Sequence, residues 1–260
     1  MEVAVSEPAL ATRGLNKQFG SLAVAQSIDI SLPRGARHAL IGPNGAGKTT
    51  LINMMTGLLR PDSGRILLEG GDITALSPDA RVKRGLVRTF QINTLFPHLT
   101  ALESVTLAVC ERRGEAGNWW KQLPTYGEAV DEAHQILSSL RLAEDCLRPT
   151  HALAYGQQRL LEIALALATR PKVLLLDEPA AGVPSSESAG LFEVIANLPD
   201  DISVLFIEHD MNIVFRFASR IIVLVGGAVL VEGPPDEISS DPRVREVYLG
   251  SSHHGAAPHG

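Results

Sequence analysis

Cysteine is scarce in this chain: only Cys110 and Cys146 occur in 260 residues. They form no CxxC pair and share no Cys/His spacing of the kind that holds zinc, which excludes a disulfide framework and a structural zinc site as organising features. Both read as reduced packing residues of a cytosolic protein. Long apolar runs are missing too. The longest stretch, IIVLVGGAVLV from Ile221 to Val231, is split by Gly226-Gly227 and falls short of the roughly 20 residues that a membrane-spanning helix needs. The N-terminus, MEVAVSEPALATRG, lacks the basic start and apolar core of a signal peptide, so export is not expected. Positive charge is in deficit. A net charge of −6 and a pI near 5.8 argue against a duplex-binding surface dominated by Lys and Arg, and nucleic acid is not expected as a partner.

What is present describes an ordinary globular chain, 45% hydrophobic and 20% charged, able to hold one large domain or two small ones. Residues 10 to 32 alternate short apolar runs with turn residues, as a small β-region would, and Arg37 to Ile41 reads as a strand stopping at Gly42. A helix is predicted from Lys48 to about Leu58, ended by RPDSG. Leu102 to Val109, Glu128 to Leu140 and Gln157 to Thr169 have helical spacing, so a mainly helical insert sits between two strand-rich parts. Val173 to Leu176 and Val204 to Ile207 are apolar on both faces, as interior strands of a parallel sheet are. The helix predicted over Glu187 to Asn197 joins them into a βαβ unit. Ile221 to Leu224 and Ala228 to Val231 read as a hairpin around the two glycines. The tail SSHHGAAPHG reads as disordered, and a solvated tail accounts for its three histidines better than metal binding does. Trp119-Trp120 reads as a satellite packing cluster under a loop.

GPNGAGKTT, Gly42 to Thr50, matches the phosphate-loop pattern G-x-x-x-x-G-K-[ST] and sits after a strand and before a helix, where the mechanism needs it. Small residues let successive backbone N–H groups curl around a polyphosphate, Lys48 reaches the β and γ phosphates, and the Thr49 hydroxyl coordinates Mg²⁺. Accident would produce this pattern in a chain of this length about one time in a hundred. VLLLDEP then places Asp177 at the carboxyl end of a buried strand, the edge where ligands bind in open α/β sheets, as a metal-holding carboxylate. Its neighbour Glu178 is positioned to deprotonate a water in line with the γ phosphate. A further stretch, LAYGQQR from Leu153 to Arg159, opens into an apolar helix. A helix N-terminus with a glycine beside it offers free N–H groups to an anion; the same start also suits an ordinary helix with a glycine in the preceding turn.

The order of the phosphate loop, Gln91 in RTFQ, LAYGQQR, VLLLDEP and His209 in LFIEHD resembles the ATP-binding subunit of ABC transporters over about residues 10 to 250. RTFQINTLFPHLT, LAYGQQR, DEPAAG, IEHDM and VREVYLG make it most similar to the LivG-like ATPase subunits of branched-chain amino acid importers. The resemblance implies an α/β P-loop fold of ABC type: a mainly parallel core sheet, an N-terminal antiparallel β-subdomain and an inserted helical subdomain at about 95–168. Outside it, residues 1–9 read as a flexible N-terminus and residues 251–260 as the disordered tail.

Functionally, it implies an ATP hydrolase with Mg²⁺, peripheral on the cytoplasmic face of the inner membrane and powering permease subunits fed by a periplasmic binding protein. Importers of urea, amides or aromatic acids are the nearest alternatives, and a soluble ABC ATPase acting on nucleic acid a more distant one. LAYGQ occupies the place of the family's LSGGQ signature, so Ala154, Tyr155, Gly156 and Gln157 are expected to close over ATP held by the phosphate loop of an opposite subunit, itself expected to be a different chain, in a head-to-tail dimer. The bound polyphosphate is expected against Gly42, Pro43, Asn44, Gly45, Ala46, Gly47, Lys48, Thr49 and Thr50, and Phe19 is expected to stack on adenine. Gln91 is expected to link metal and attacking water to the permease, and His209 to contact the γ phosphate. Apolar residues at Leu95-Phe96-Pro97 lie where the family receives a short permease helix. Two departures stand out: Ala154 replaces the signature serine, and Pro184 in AAGVPSS stands where the family has Asp, or Asn in this branch.

Overall fold

A computed structural model of the chain describes residues 7–89, 96–115 and 127–250, with no side chains described at 249 and 250. Gln91, Leu95, Trp119, Trp120 and the histidine-containing tail lie outside the described residues. The N-terminal β-region forms a four-stranded antiparallel sheet in the order β2-β1-β4-β5, from β1 (Leu10–Phe19), β2 (Leu22–Leu32), β4 (Ser63–Leu68) and β5 (Gly71–Asp72). Ala9, just before β1, is already buried, and its carbonyl accepts from Glu69 N–H.

The second sheet has six strands in the order β10-β9-β3-β8-β7-β6, built from β3 (Arg37–Ile41), β6 (Leu86–Arg88), β7 (Val173–Asp177), β8 (Ser203–Ile207), β9 (Arg220–Val225) and β10 (Ala228–Gly233). All pairs in it are parallel except the β9–β10 hairpin at the edge. Gly226 and Gly227 both have positive φ in the two-residue turn, as a turn matching strand twist requires.

Alternation sorts the β7 side chains onto opposite faces. Leu174 and Leu176 join the apolar cluster that includes Leu161 and Phe192, whereas Val173 and Leu175 join the cluster that includes Leu51, Ile52 and the β-subdomain residue Leu15. Both faces are therefore covered, which is why these strands read as continuous apolar runs. Around them lie α1 (Lys48–Thr56), α2 (Pro78–Lys83), α3 (Ala101–Arg113), α4 (Gly127–Ser139), α5 (Tyr155–Ala168), α6 (Ser185–Ala196), α7 (Met211–Phe217), α8 (Pro235–Ser240) and α9 (Pro242–Gly250). Two predicted bounds move for local reasons: α1 stops at Thr56 because Gly57 adopts the left-handed cap conformation, and α6 starts at Ser185, directly after Pro184. Cys110 and Cys146 are buried free thiols, as the sequence indicated.

His38 in β3 is 2% exposed and pairs in register with Arg220 of β9. Burial, with a smaller push from the Arg220 charge, lowers its imidazole from 6.5 to about 4. A histidine kept neutral in the fold but able to charge on unfolding costs stability as pH falls. Its contribution is fully present above pH 6.5 and lost between pH 6.5 and about 4. Melting curves over that range are expected to fall more steeply for the native chain than for His38→Leu; equal slopes would discard this assignment.

Candidate active site

The loop between β3 and α1 keeps its shape because glycine is required there. At Gly42 an added Cβ would lie 2.1 Å from the Leu224 carbonyl oxygen, and at Gly47, with φ 101, it would lie 2.5 Å from that of Val24. The turn between β9 and β10 braces the loop: Gly227 N–H donates to Ala46 O at 3.0 Å, while Gly227 O accepts from Gln26 N–H at 2.7 Å. One residue thus fastens the phosphate loop to the antiparallel sheet. Asn44, Gly45 and Thr49 are exposed and Pro43 and Thr50 half-buried, whereas Ala46 is buried. Lys48 turns its ammonium inward, donating to Gly42 O at 2.7 Å and Pro43 O at 3.1 Å. Burial pushes this amine below its ordinary value, and the charges of Glu178 and Asp177 partly offset that. The lysine therefore waits beside two carboxylates with its donors on carbonyls that a phosphate would displace.

Asp177 and Glu178 stand at the carboxyl end of β7, as the sequence placed them. Arg88, at the end of β6, donates to Asp177 Oδ2 at 2.6 Å and to Asn53 Oδ1 of α1 at 2.8 Å, tying the strand edge to the helix behind the phosphate loop. Glu178 has φ 50, a left-handed conformation uncommon for a residue with a side chain. His209, just past β8, brings Nε2 to 2.7 Å from Glu178 Oε1, and both side chains remain close to half exposed. A carboxylate and an imidazole in contact at an exposed strand edge form a base and a partner that orients it.

The LAYGQQR stretch opens α5 as expected. Ala154 is the cap residue and supplies no side-chain bond to the first turn, which leaves the N–H groups there to other acceptors. Gln157 folds back to accept from Ala154 N–H at 3.0 Å and donates to Asp145. Tyr155 lies over the loop after β7: its hydroxyl accepts from Arg159 at 3.1 Å, Arg159 also donates to Ala181 O at 3.2 Å, and a Cβ on Gly182 would sit 2.9 Å from the Tyr155 hydroxyl oxygen. The packing partners of the signature are thus Gly182, Ala181 and their neighbours, while those of the phosphate loop are Val24, Leu224 and Gly227. Phe19 is 50% exposed at the end of β1 with the Lys17 ammonium 5.5 Å from its ring centre.

Residues 25–181 match the family described as ABC transporter, and residues 228–254 match the one described as branched-chain amino acid ATP-binding cassette transporter. The chain belongs to the ABC transporter family, as an ATP-hydrolysing cassette. It is 39% identical over 257 residues, 95% of its own length and 100% of the relative's, to the high-affinity branched-chain amino acid transport ATP-binding protein BraF of Pseudomonas aeruginosa. Among solved structures it resembles an ABC transporter cassette in its ADP conformation, at 33% identity and a TM-score of 0.81, covering 93% of this chain and 98% of that one. It also resembles a dimeric cassette in a post-hydrolysis state bound to ADP and Pi, at 25% identity and a TM-score of 0.70, covering 87% and 98%.

Four features of the cassette escaped sequence reasoning. Arg88 lies in the RTFQ motif but shows its partner only when β6 pairs with β7. Gly227 reads as a hairpin glycine, and its hold on the phosphate loop is long-range. Tyr248 of α9 packs against the core, where burial pushes its phenol up to about 12, with the Gly42 backbone partly offsetting this. Glu208 is buried directly before His209; an acid in an otherwise apolar strand end, SVLFIEHD, was the available signal. Among the described residues no helix is long and apolar enough to cross a membrane, and no group of His, Cys, Asp and Glu is arranged to hold a metal by itself.

Proposed function

We propose that the cassette hydrolyses Mg²⁺-ATP to drive uptake of branched-chain amino acids or closely related solutes through separate permease subunits. In this reading it works from the cytoplasmic membrane face, where ATP is found, and a periplasmic binding protein delivers the solute. The observation that carries the reading is the Glu178–His209 contact of 2.7 Å at the edge where Lys48 feels both strand-end carboxylates. The two family matches and BraF support the transport role.

The phosphate-loop N–H groups and Lys48 take the β and γ phosphates, and the half-exposed Phe19 ring stacks on adenine. Mg²⁺ suits the oxygen donors present: the exposed Thr49 hydroxyl and the Asp177 carboxylate, of which Arg88 engages Oδ2. Such an ion would need few protein ligands. When bound, it neutralises phosphate charge. Gln91 would join Thr49 and Asp177 as a ligand. Glu178 takes the proton of the attacking water, and His209 moves to the γ phosphate once the nucleotide separates it from Glu178.

A second cassette, a different chain in this reading, meets this one head to tail, and the N–H groups of Tyr155, Gly156 and Gln157 at the start of α5 close the opposite site. Ala154 lacks the serine hydroxyl, whose bond to a charged phosphate would be worth roughly 1.5–3 kcal/mol, so the clamp relies on backbone donors. Lys48→Ala is expected to weaken ATP binding by about 10- to 100-fold, the loss of one charge-assisted contact, and to stop leucine accumulation in cells carrying the cognate permeases. Chelation of Mg²⁺ is expected to stop hydrolysis. Leucine accumulation by Lys48→Ala at the native level would overturn the proposal.

A further inference from the structure

Glu208 is a buried carboxylate, 6% exposed, that the reaction as described does not use. Its Oε1 accepts from Ala180 N–H at 2.9 Å, and its Oε2 accepts from His209 N–H at 3.2 Å. Those N–H groups belong to the two loops that carry Glu178 and His209. The contacts close a ring: Glu178 leads through Pro179 to Ala180, across Glu208 to the His209 backbone, and through the imidazole back to Glu178 Oε1 at 2.7 Å. Two more bonds hold residue 178 in its left-handed conformation, Glu178 N–H to Ile207 O at 3.1 Å and Ala181 N–H to Glu178 O at 2.9 Å. Such a conformation persists only where the surroundings over-determine it, and Glu208 supplies one of the constraints.

Burial pushes the Glu208 carboxyl up, the two backbone N–H groups pull it back down, and the Glu178 charge adds a further upward push. A carboxylate is costly to bury, and its two acceptor oxygens are what a pair of backbone donors on separate loops requires.

We propose that Glu208 is a positioning residue for ATP hydrolysis, its two oxygens locking the Glu178 loop against the His209 loop so that base and imidazole stay in register. This rests on the roles proposed for Glu178 and His209. Glu208 does not touch the nucleotide, so its loss registers in kcat rather than in KM. In Glu208→Gln one oxygen still accepts, but an NH₂ group now faces the other N–H.

The test compares steady-state ATP turnover and binding of a fluorescent ATP analogue for the full chain, Glu208→Gln, His209→Ala and the double variant. Glu208→Gln is expected to lower kcat by about 10- to 100-fold, the scale of a misplaced catalytic group, with KM and analogue affinity within about twofold of native. The double variant is expected to fall no more than about twofold below His209→Ala, because both changes break one ring. Native turnover in Glu208→Gln, or losses that multiply in the double variant, would overturn the proposal. Should Glu208→Gln fail to fold, Glu208→Asp, which keeps the charge and shortens the reach, is read by the same two outcomes. Glu178→Gln with native turnover would sink the base assignment alone, leaving the Glu208–His209 coupling to be read separately.

Discussion

Glu178→Gln is expected to lower ATP turnover by about 10²- to 10⁴-fold, the usual worth of a general base, while the protein still binds ATP. Glutamine matches the size of glutamate and can hold the same left-handed backbone, φ 50, under the same bonds from Glu178 N–H to Ile207 O and from Ala181 N–H to Glu178 O. What changes is chemistry: an amide oxygen can accept a hydrogen bond from water but cannot keep the proton. The His209 contact at 2.7 Å can survive with the amide oxygen as acceptor, so the geometry of the site is retained. Lys48 loses one of the two carboxylate charges that offset its burial but keeps Asp177 and its place against the loop carbonyls. Phosphate-release kinetics measure the turnover, and equilibrium binding of ATP measures the occupancy. Native turnover would move the base to another group.

The parts of the fold readable in the sequence are those whose signal is local. The β3–loop–α1 unit combines an apolar strand, required glycines and a periodic helix within about 20 positions, and each signal agrees with the others. The interior strands β7 and β8 are legible because burial on both faces leaves an unbroken apolar run. Short elements were not: β5 has two residues and β6 three, too few for any period to show, and α2 has six. At the site, the sequence supplied the residue types of the phosphate loop and the Asp177-Glu178 pair. It could not supply the contacts that set their geometry, because Arg88 reaches Asp177 across 89 positions and Ala180 reaches Glu208 across 28. Those pairings exist only once parallel strands align, and the functional roles drawn for Phe19, Gln91 and His209 came from resemblance to a family rather than from local pattern.

Arg81→Met is expected to destabilise the cassette by about 3–5 kcal/mol, from two or three buried acceptors each losing about 1–3 kcal/mol of compensation. Arg81 in α2 is 2% exposed. Its guanidinium donates to Met54 O and Met55 O at 2.6 Å each, to Thr74 O at 2.8 Å and to Leu76 O at 3.1 Å. The first two are carbonyls of the last turn of α1, where a cation also complements the helix dipole. Gly57 completes the fit, since a Cβ there would meet Arg81 Nε at 2.9 Å. Methionine fills much of the space but donates nothing, and burial leaves little water to replace it. The apparent melting temperature is therefore expected to drop by roughly 6–20 °C, at about 2–4 °C per kcal/mol for a domain of this size. Because α1 begins with Lys48, at the end opposite the one that Arg81 holds, loosening the helix also disturbs the phosphate loop, and ATP is expected to recover less stability in the variant than in the native chain. A drop of under about 2 °C would show that water or a shift of α2 satisfies those carbonyls, and that Arg81 is not what closes the end of this helix.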